Sequence, residues 1–201
     1  MSLFRFLKKK HFEWYVKYTH FITKILFRLN KVEFRRFTAV GVPILDIDKN
    51  GRLKLGDDVG LVSEAKYATL GRSNRCKFVV WSGANLIIGN KVGMSNATIV
   101  ATSSVSLGDN ILIGGGVTIV DSDFHSLNYN HWHTDLDYEY MRKFPVVIKD
   151  NVFIGMNSII LKGVTIGANV IIAAGSVVFK DIPDNEIWGG NPAKFIKRRD
   201  L

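Results

Sequence analysis

Hydrophobic positions in the first 36 residues follow helical spacing. Apolar residues recur at intervals of three, four or seven, with lysines and arginines between them, at Phe4, Leu7, Trp14, Tyr18, Ile22, Ile25, Leu29 and Val32. Side chains at these intervals share one face of a 3.6-residue helix. The pattern therefore predicts an amphipathic helical segment over residues 1–36.

From residue 37 onward the helical period gives way to a repeat of six residues. A branched aliphatic residue returns at every sixth position at Ile148, Ile154, Ile160, Ile166, Ile172 and Val178. The repeat is also present upstream, with one extra residue after the third position, at Ile88, Met94, Val100, Leu107, Ile113 and Ile119. Glycine directly follows several of these positions, which suits a tight corner after a short strand.

Three strand-and-corner units make one triangular coil of about 18 residues, and successive coils stack by parallel strand pairing. Like side chains then form columns, with Ile148 over Ile166 and Ile154 over Ile172. The repeat predicts a mainly β solenoid over residues 37–183. Its two open sheet ends need covers, which residues 1–36 and a C-terminal capping segment and basic tail, residues 184–201, are placed to supply.

The repeat is absent between about residues 121 and 145. This insertion holds three of the five histidines of the chain, five acidic residues and six aromatic residues. A long irregular loop on a rigid solenoid is where a functional site is expected. The aromatic residues suit both stacking on a sugar ring and packing of the loop, and Trp132 is the candidate sugar contact.

The net charge of +9 is unevenly distributed. Residues 1–36 carry ten basic and two acidic groups (+8), residues 37–193 carry 13 and 15 (−2), and residues 194–201 carry four and one (+3). A near-neutral body without a recognised motif disfavours nucleic-acid binding. Two hypotheses remain for residues 1–36: a cap on the solenoid, or peripheral adsorption to an anionic membrane surface.

Cys76 is the only cysteine, so an intramolecular disulfide is excluded and a reducing cytoplasm is the expected compartment. A lone cysteine is most often a small buried hydrophobe. Basic residues interrupt the apolar N-terminal positions, which disfavours a secretory signal. No stretch reaches the roughly 20 apolar residues of a membrane span.

The segment from Ile154 to Lys197 resembles a known family signature. It reads IGMNSIILKGVTIGANVIIAAGSVVFKDIPDNEIWGGNPAKFIK and is similar to the C-terminal part of the hexapeptide-repeat acyltransferases. Within that superfamily it is closest to the sugar and polysaccharide O-acetyltransferases. The resemblance implies a left-handed parallel β-helix and transfer of an acetyl group from acetyl-CoA to a sugar or glycan hydroxyl in a direct ternary complex.

The same resemblance points to a catalytic base. In the family a histidine follows a coil directly, and Asp121-Ser122-Asp123-Phe124-His125-Ser126 matches that position. An imidazole titrates near neutral pH and suits proton removal from an attacking hydroxyl. His125 is therefore the predicted base, and either Asp121 or Asp123 is the candidate group that orients it, unless these carboxylates form a turn.

For the acceptor, the family commonly carries an asparagine one coil before the base. In the register of this chain that position is Met94, and Asn96, two residues further on, is the candidate replacement. The predicted acceptor contacts are Asn96, Asp121 and Trp132.

For the donor, the resemblance implies a groove between the subunits of a homotrimer. Residue matching places Met156 and Ala174 beside the pantetheine of acetyl-CoA and Phe179 and Lys180 near its adenine. Lys194 and Lys197 match positions near its phosphates, where cations are needed.

Three alternatives stay open. The first is N-acetylation of an amino-sugar nucleotide, which also needs a base. The second is a metalloenzyme of the gamma carbonic anhydrase type, since His125, His131 and His133 cluster; their spacing departs from that of its ligands, so no metal is expected. The third is a non-catalytic solenoid that only binds.

Overall fold

The computed structural model describes residues 2–70 and 74–200. Its one long helix is α1 (Leu3–Leu29). The strands alternate with tight corners, and their bounds are β1 (Phe37–Val40), β2 (Ile44–Ile47), β3 (Arg52–Leu55), β4 (Val59–Val62), β5 (Lys77–Val80), β6 (Asn85–Ile88), β7 (Gly93–Ser95), β8 (Thr98–Ala101), β9 (Ser104–Leu107), β10 (Leu112–Ile113), β11 (Thr118–Val120), β12 (Val146–Ile148), β13 (Phe153–Ile154), β14 (Ile159–Ile160), β15 (Thr165–Ile166), β16 (Ile171–Ile172), β17 (Val177–Val178), β18 (Glu186–Gly189) and β19 (Lys194–Arg198). A 3-10 turn (Tyr129–His131) and a short helix α2 (Asp135–Glu139) lie between β11 and β12.

From β1 to β17 every third strand belongs to the same parallel sheet, so the chain winds around a triangular prism. The first face holds β1, β4, β7, β10, β13, β16 and β18 and ends with the antiparallel β19; the second holds β2, β5, β8, β11, β14 and β17, and the third holds β3, β6, β9, β12 and β15. The chain is a left-handed parallel β-helix. We call the turn from the first face to the second the first corner, and the turn from the second to the third the second corner.

The predicted columns of aliphatic side chains form the core. Ile148 pairs with Ile166 and Ile154 with Ile172, as the six-residue repeat predicted, and all four side chains are buried. One upstream position is wrong: the partner of Ile119 is Ile99, and Val100 pairs with Val120. The inward positions Met94 and Ile99 are five residues apart, so the corner before β8 is one residue shorter than the repeat assumed.

Helix α1 lies across the first end of the solenoid as one unbroken element. The side-chain hydroxyl of Thr19 donates to the carbonyl of Ala39 (3.0 Å) and accepts from the N–H of Gly41 (3.2 Å). These backbone groups belong to or follow the edge strand β1, which would otherwise present open pairing positions. Phe27 is fully buried in the core. The helix therefore caps this sheet edge.

The other end of the first face is closed differently. Strand β18 pairs in parallel with β16, and β19 then turns back antiparallel along β18. The parallel pairing thus continues beyond residue 183, and β19 is the covering strand.

A second insertion, the coil-2 loop, lies between β4 and β5, and its described residues are 63–70 and 74–76. Tyr67 from this loop packs on Phe12 and Tyr15 of α1, at ring-centre distances of 4.8 and 5.0 Å. The hydroxyl of Tyr15 donates to Glu64 over 2.8 Å. Burial, together with this carboxylate, raises the pKa of Tyr15 to about 12. The loop was not predicted because the six-residue repeat is weak upstream of Ile88.

Candidate active site

The loop of residues 121–145 leaves the solenoid at the second corner through a narrow neck. Ser122 and Lys143 form an antiparallel bridge. The N–H of Phe144 donates to the carbonyl of Asp121 (2.9 Å), and that of Asp123 donates to the carbonyl of Arg142 (3.1 Å). This neck fixes the residues that follow Asp121 against the rigid coil.

Asp121 anchors this neck to the solenoid. Its side chain is fully buried and accepts four hydrogen bonds of 2.7–2.8 Å, from the N–H groups of Thr102, Ser103 and Ser104 and the hydroxyl of Thr102. Both carboxylate oxygens are used within the fold. The prediction that Asp121 contacts the acceptor is wrong: this residue stabilises the second corner of the preceding coil, the turn role that the sequence left open.

Asp123 also turns away from His125. Its carboxylate forms ion pairs with Arg142 (3.2 Å) and Lys162, which rises from the next coil. The prediction that Asp123 is a catalytic group that orients the imidazole is therefore wrong. The residue fastens the loop to the solenoid.

The orienting carboxylate is Asp137, from the short helix α2. Its Oδ2 atom lies 2.7 Å from Nδ1 of His125, and its Oδ1 accepts from the N–H of Ser126 over 2.7 Å. Asp137 is 5% exposed, whereas the His125 side chain is 64% exposed. The hydrogen bond from His125 is the main cause that holds the pKa of Asp137 below its ordinary value. An anionic partner at Nδ1 fixes the proton there and leaves the Nε2 lone pair free.

Phe124, the residue directly before His125, has an unusual backbone conformation. Its φ of 63° is in the left-handed region, which is uncommon for a bulky residue. Backbone strain of this kind persists where surrounding structure imposes it, and it is concentrated at functional sites. Nε2 of His125 has no hydrogen-bond partner among residues 2–70 and 74–200, and it faces solvent as a proton acceptor should.

His131 and Trp132 of the same loop have internal partners. Nδ1 and Nε2 of His131 lie 3.0 Å from Ser126 Oγ and 3.1 Å from Asn128 Nδ2. The indole N–H of Trp132 donates to the carbonyl of Ser126 (2.8 Å), and about half of its side chain stays exposed. Trp132 thus braces the loop beside His125 and still presents a ring surface. Within the described part of the chain no cluster of three or more potential metal ligands is present.

Cys76 lies away from this loop. It is buried, burial raises the pKa of its thiol, and Sγ lies 3.3 Å from the carbonyl of Val62. These contacts fit the expected small buried hydrophobe.

A groove of about 410 Å³ follows the first corner. Met156 and Ala174, two of the predicted donor contacts, line it together with Gly114 and Gly155. A Cβ atom at Gly155 would lie 2.5 Å from the backbone nitrogen of Ala174, so only glycine permits this spacing of coils. The coil-2 loop supplies the opposite rim through Ala68, Thr69 and Leu70.

Asn96 also lines this groove. Its amide N–H donates to the carbonyl of Asn74, and its buried Oδ1 has no partner among the described residues. Met94, in contrast, points into the core and is 2% exposed. Asn96 lies at the first corner and His125 at the second, so one chain does not bring them together.

The remaining predicted donor contacts are also divided between regions. Phe179 and Lys180 follow β17 at the second corner, where Lys180 Nζ lies 5.5 Å from the centre of the Phe179 ring. Lys194 and Lys197 are exposed on β19, on the first face. One chain therefore places the six predicted donor contacts in three regions: the first corner, the second corner and strand β19.

Sequence reasoning missed Asp137. Its acidic side chain was counted within the loop, but nothing in the local spacing distinguishes it from Asp135 or Glu139. The signal that could have found it is the Thr134-Asp135 helix start, which would have placed Asp137 within a helical turn rather than in an extended loop.

Two family profiles match the repeats of this chain. The profile described as bacterial transferase hexapeptide (six repeats) matches residues 145–180, and that described as hexapeptide repeat of succinyl-transferase matches residues 83–120. Both matches coincide with the coils that carry the six-residue columns. In these coils the chain is similar to the hexapeptide-repeat acyltransferases.

Curated superfamily members match part of the chain. The galactoside O-acetyltransferase of Escherichia coli is 41% identical over 117 residues, which are 57% of this chain and 55% of that protein. A 2,3,4,5-tetrahydropyridine-2,6-dicarboxylate N-acetyltransferase of Clostridium perfringens is 50% identical over 58 residues, 29% of this chain and 25% of that protein. The chain thus spans about half or less of the length of these relatives.

Solved structures of superfamily members share the fold. A galactoside acetyltransferase in complex with coenzyme A matches with a TM-score of 0.56 and 31% identity, over 73% of this chain and 64% of that chain. A hexapeptide-repeat acetyltransferase of Vibrio cholerae, complexed with acetyl coenzyme A, matches with a TM-score of 0.54 and 29% identity, over 63% and 66%.

Proposed function

We propose that this protein transfers an acetyl group from acetyl-CoA to a hydroxyl of a sugar or polysaccharide precursor, with His125 as general base. The observation that carries the proposal is the exposed imidazole held at Nδ1 by the buried carboxylate of Asp137. A paired acid and imidazole of this kind activate a hydroxyl nucleophile in other acyl-transfer enzymes.

The proposed reaction uses the free nitrogen of His125. Acetyl-CoA supplies a thioester carbonyl as the electrophile. Nε2 of His125 removes the proton of the acceptor hydroxyl while its oxygen attacks, and the Asp137 carboxylate stabilises the imidazolium that forms. His125 then returns the proton to the departing sulfur, so the histidine is unchanged after the cycle. Backbone N–H groups beside the histidine are the proposed donors to the developing oxyanion.

The groove at the first corner fits the pantetheine part of the donor. It is lined by glycine, alanine and methionine, which leave room for a narrow and largely apolar chain. Asn96 lines the same groove, where the carbonyl of Asn74 holds its amide N–H. Lys194, at the start of β19, and Lys197 are exposed cations for the phosphates.

We infer a homotrimer from the division of the site between two corners. His125, Phe179 and Lys180 belong to the second corner, whereas Asn96, Met156 and Ala174 belong to the first. A neighbouring copy whose second corner faces the first corner of this chain brings both sets together. Closed threefold symmetry repeats that contact three times and leaves no unmatched surface.

The first test combines binding with catalysis. Calorimetry should detect CoA binding to the wild-type protein and to His125→Ala, while acetylation of the best substrate from a panel of sugars falls about 10²- to 10⁴-fold in the variant. His133→Ala is the matched control, because it removes an exposed histidine of the same loop, and it should stay within a few-fold of wild type. Unchanged turnover in His125→Ala would refute the base, and absent CoA binding would refute the enzyme class.

The second test addresses the shared site. His125→Ala and Ala174→Trp, which fills the groove, should each be inactive as purified homotrimers. Co-expressed in equal amounts they should recover up to about one quarter of wild-type activity, because a random trimer pairs an intact base with an intact groove at about that fraction of interfaces. No recovery in verified mixed trimers would show that each chain carries a complete site.

N-acetylation of an amino-sugar nucleotide is the second candidate. The observation in its favour is the 50% identity to an N-acetyltransferase, although over 58 residues only. An amine acceptor needs the same base, so His125 does not discriminate. The acceptor panel therefore includes amino sugars and nucleotide sugars, and the ratio of kcat/KM values between hydroxyl and amine acceptors decides.

A further inference from the structure

Helix α1 has a second apolar face that its role as a cap does not use. The face toward the solenoid buries Thr19, Thr23 and Phe27. Seven large apolar side chains lie instead on a common outward stripe, because their intervals of three, four and seven return to the same side of a helix. We call this stripe the outward face. Its side chains are between 38% and 74% exposed, and its residues are Leu3, Leu7, Trp14, Tyr18, Phe21, Ile25 and Leu29.

The outward face is long and rich in aromatic residues. At 1.5 Å per residue the 27-residue helix is about 40 Å long. The rings of Trp14 and Tyr18 stack on its surface with centres 5.5 Å apart. Monomeric proteins rarely leave a continuous apolar stripe of this extent in water, and such a stripe marks an interaction site.

A row of positive charges flanks the stripe on one side. Lys10, Lys17, Lys24 and Arg28 recur at intervals of seven and four, which places them in one row beside Phe21 and Leu3. The acidic residue of α1 is Glu13, and its carboxylate is paired with Lys10 at 3.2 Å. An apolar stripe with tryptophan and tyrosine and a basic border has the composition of helices that lie in the interface of an anionic bilayer.

We propose that the outward face of α1 binds the surface of an anionic lipid bilayer and holds the solenoid beside it. The helix lies in the interface plane: no helix in the described ranges is sufficiently long and apolar to cross a bilayer. The charge decides between a bilayer and a second copy of this chain as the occupant. Two copies meeting through this face would bring like-charged rows together, whereas each cation near an anionic membrane gains free energy. This proposal goes beyond acetyl transfer and does not depend on it.

Vesicle flotation tests the proposal with the full-length protein. Vesicles of phosphatidylcholine alone are compared with vesicles in which about a third of the lipid is phosphatidylglycerol. The wild-type protein should float with the anionic vesicles at least about tenfold more than with the neutral ones, and high salt should reduce this binding. Equal recovery on the two vesicle types would overturn the proposal.

Two pairs of substitutions separate the apolar and ionic contributions. Trp14→Gln with Phe21→Gln and, separately, Lys10→Glu with Lys17→Glu should each lower anionic-vesicle binding by at least about tenfold. Lys49→Glu with Lys91→Glu changes two exposed lysines of the solenoid by the same charge and should bind like wild type. If the Trp14 and Phe21 pair altered the molecular mass in solution and left vesicle binding unchanged, the face would be an interface between copies and the proposal would be wrong.

Discussion

Asp137 accepts a 2.7 Å hydrogen bond from Nδ1 of His125, a residue twelve positions earlier in the chain. The same carboxylate also accepts from the N–H of Ser126. One buried side chain thus fixes both the tautomer of the imidazole and the backbone directly after it. The relationship assigns separate roles to the two groups: His125 takes the proton, and Asp137 decides which nitrogen can take it.

Asp137→Asn should lower kcat without a comparable change in KM for the acceptor. An amide can offer its N–H to Nδ1, which moves the imidazole proton to Nε2 and removes the base. We expect a loss of about 10²-fold or more in kcat, measured by acetyl transfer at saturating acceptor. Asp123→Asn, which alters the carboxylate bound to Arg142 and Lys162, should leave kcat within a few-fold; an equal loss there would return the orienting role to Asp123.

The hydrogen bond between His125 and Asp137 also predicts how the loop responds to acid. The pKa of Asp137 lies below its ordinary value, so the ionised carboxylate stabilises the folded loop above the unfolded-state pKa of about 3.9. That stabilisation is lost as the pH falls through the lower native pKa. Carbon-13 NMR of the Asp137 carboxyl should show this depressed midpoint, and His125→Ala should raise it because the main cause is removed. A midpoint unchanged by His125→Ala would contradict the pairing.

Asp121→Ala should destabilise the fold itself. The substitution leaves the N–H groups of Thr102, Ser103 and Ser104 without their acceptor in a closed corner. Unpartnered buried donors make this loss about 3 kcal/mol or more in the free energy of unfolding. Chemical denaturation measures it, with Asp135→Ala, an exposed acid of the same loop, expected within about 0.5 kcal/mol of wild type. Equal stability of the two variants would show that Asp121 does not support the corner.

Gly155→Ala should damage both coil stacking and donor binding. The added methyl group would lie 2.5 Å from the Ala174 nitrogen and 2.8 Å from its Cα atom. These are backbone atoms, so two coils must separate where the groove runs. We expect a fall in the thermal midpoint and at least a tenfold weaker affinity for CoA by calorimetry. Gly60→Ala is the control on the same face, because its nearest neighbour atom would be 3.7 Å away, and it should change neither quantity measurably.

The solenoid and most of its register could be predicted because the same six-residue spacing recurs in successive coils, so each coil supports the assignment of the next. Six consecutive aliphatic positions specify the pairing of Ile148 with Ile166 and of Ile154 with Ile172. The irregular parts lack that redundancy. Nothing near Asp137 indicates that α2 folds back on His125, and Asp121 and Asp123 were favoured only because they are adjacent to the histidine. The coils from Ile148 onward were therefore predictable residue by residue, whereas the register at Val100 and the coil-2 loop were not, and the site was predictable only as a loop with its base.

The coil-2 loop joins helix α1 to the groove at the first corner. Tyr67 rests on Phe12 and Tyr15 of α1, and the residues that follow it, Ala68 to Leu70, form one wall of the groove. Deleting residues 1–36 would therefore remove both the outward face and the α1 contacts that support this wall of the groove. If a truncated protein lost activity, the cause could be either weaker membrane binding or a displaced groove wall. Substitutions confined to the outward face change membrane binding alone, so they are the valid test of membrane attachment.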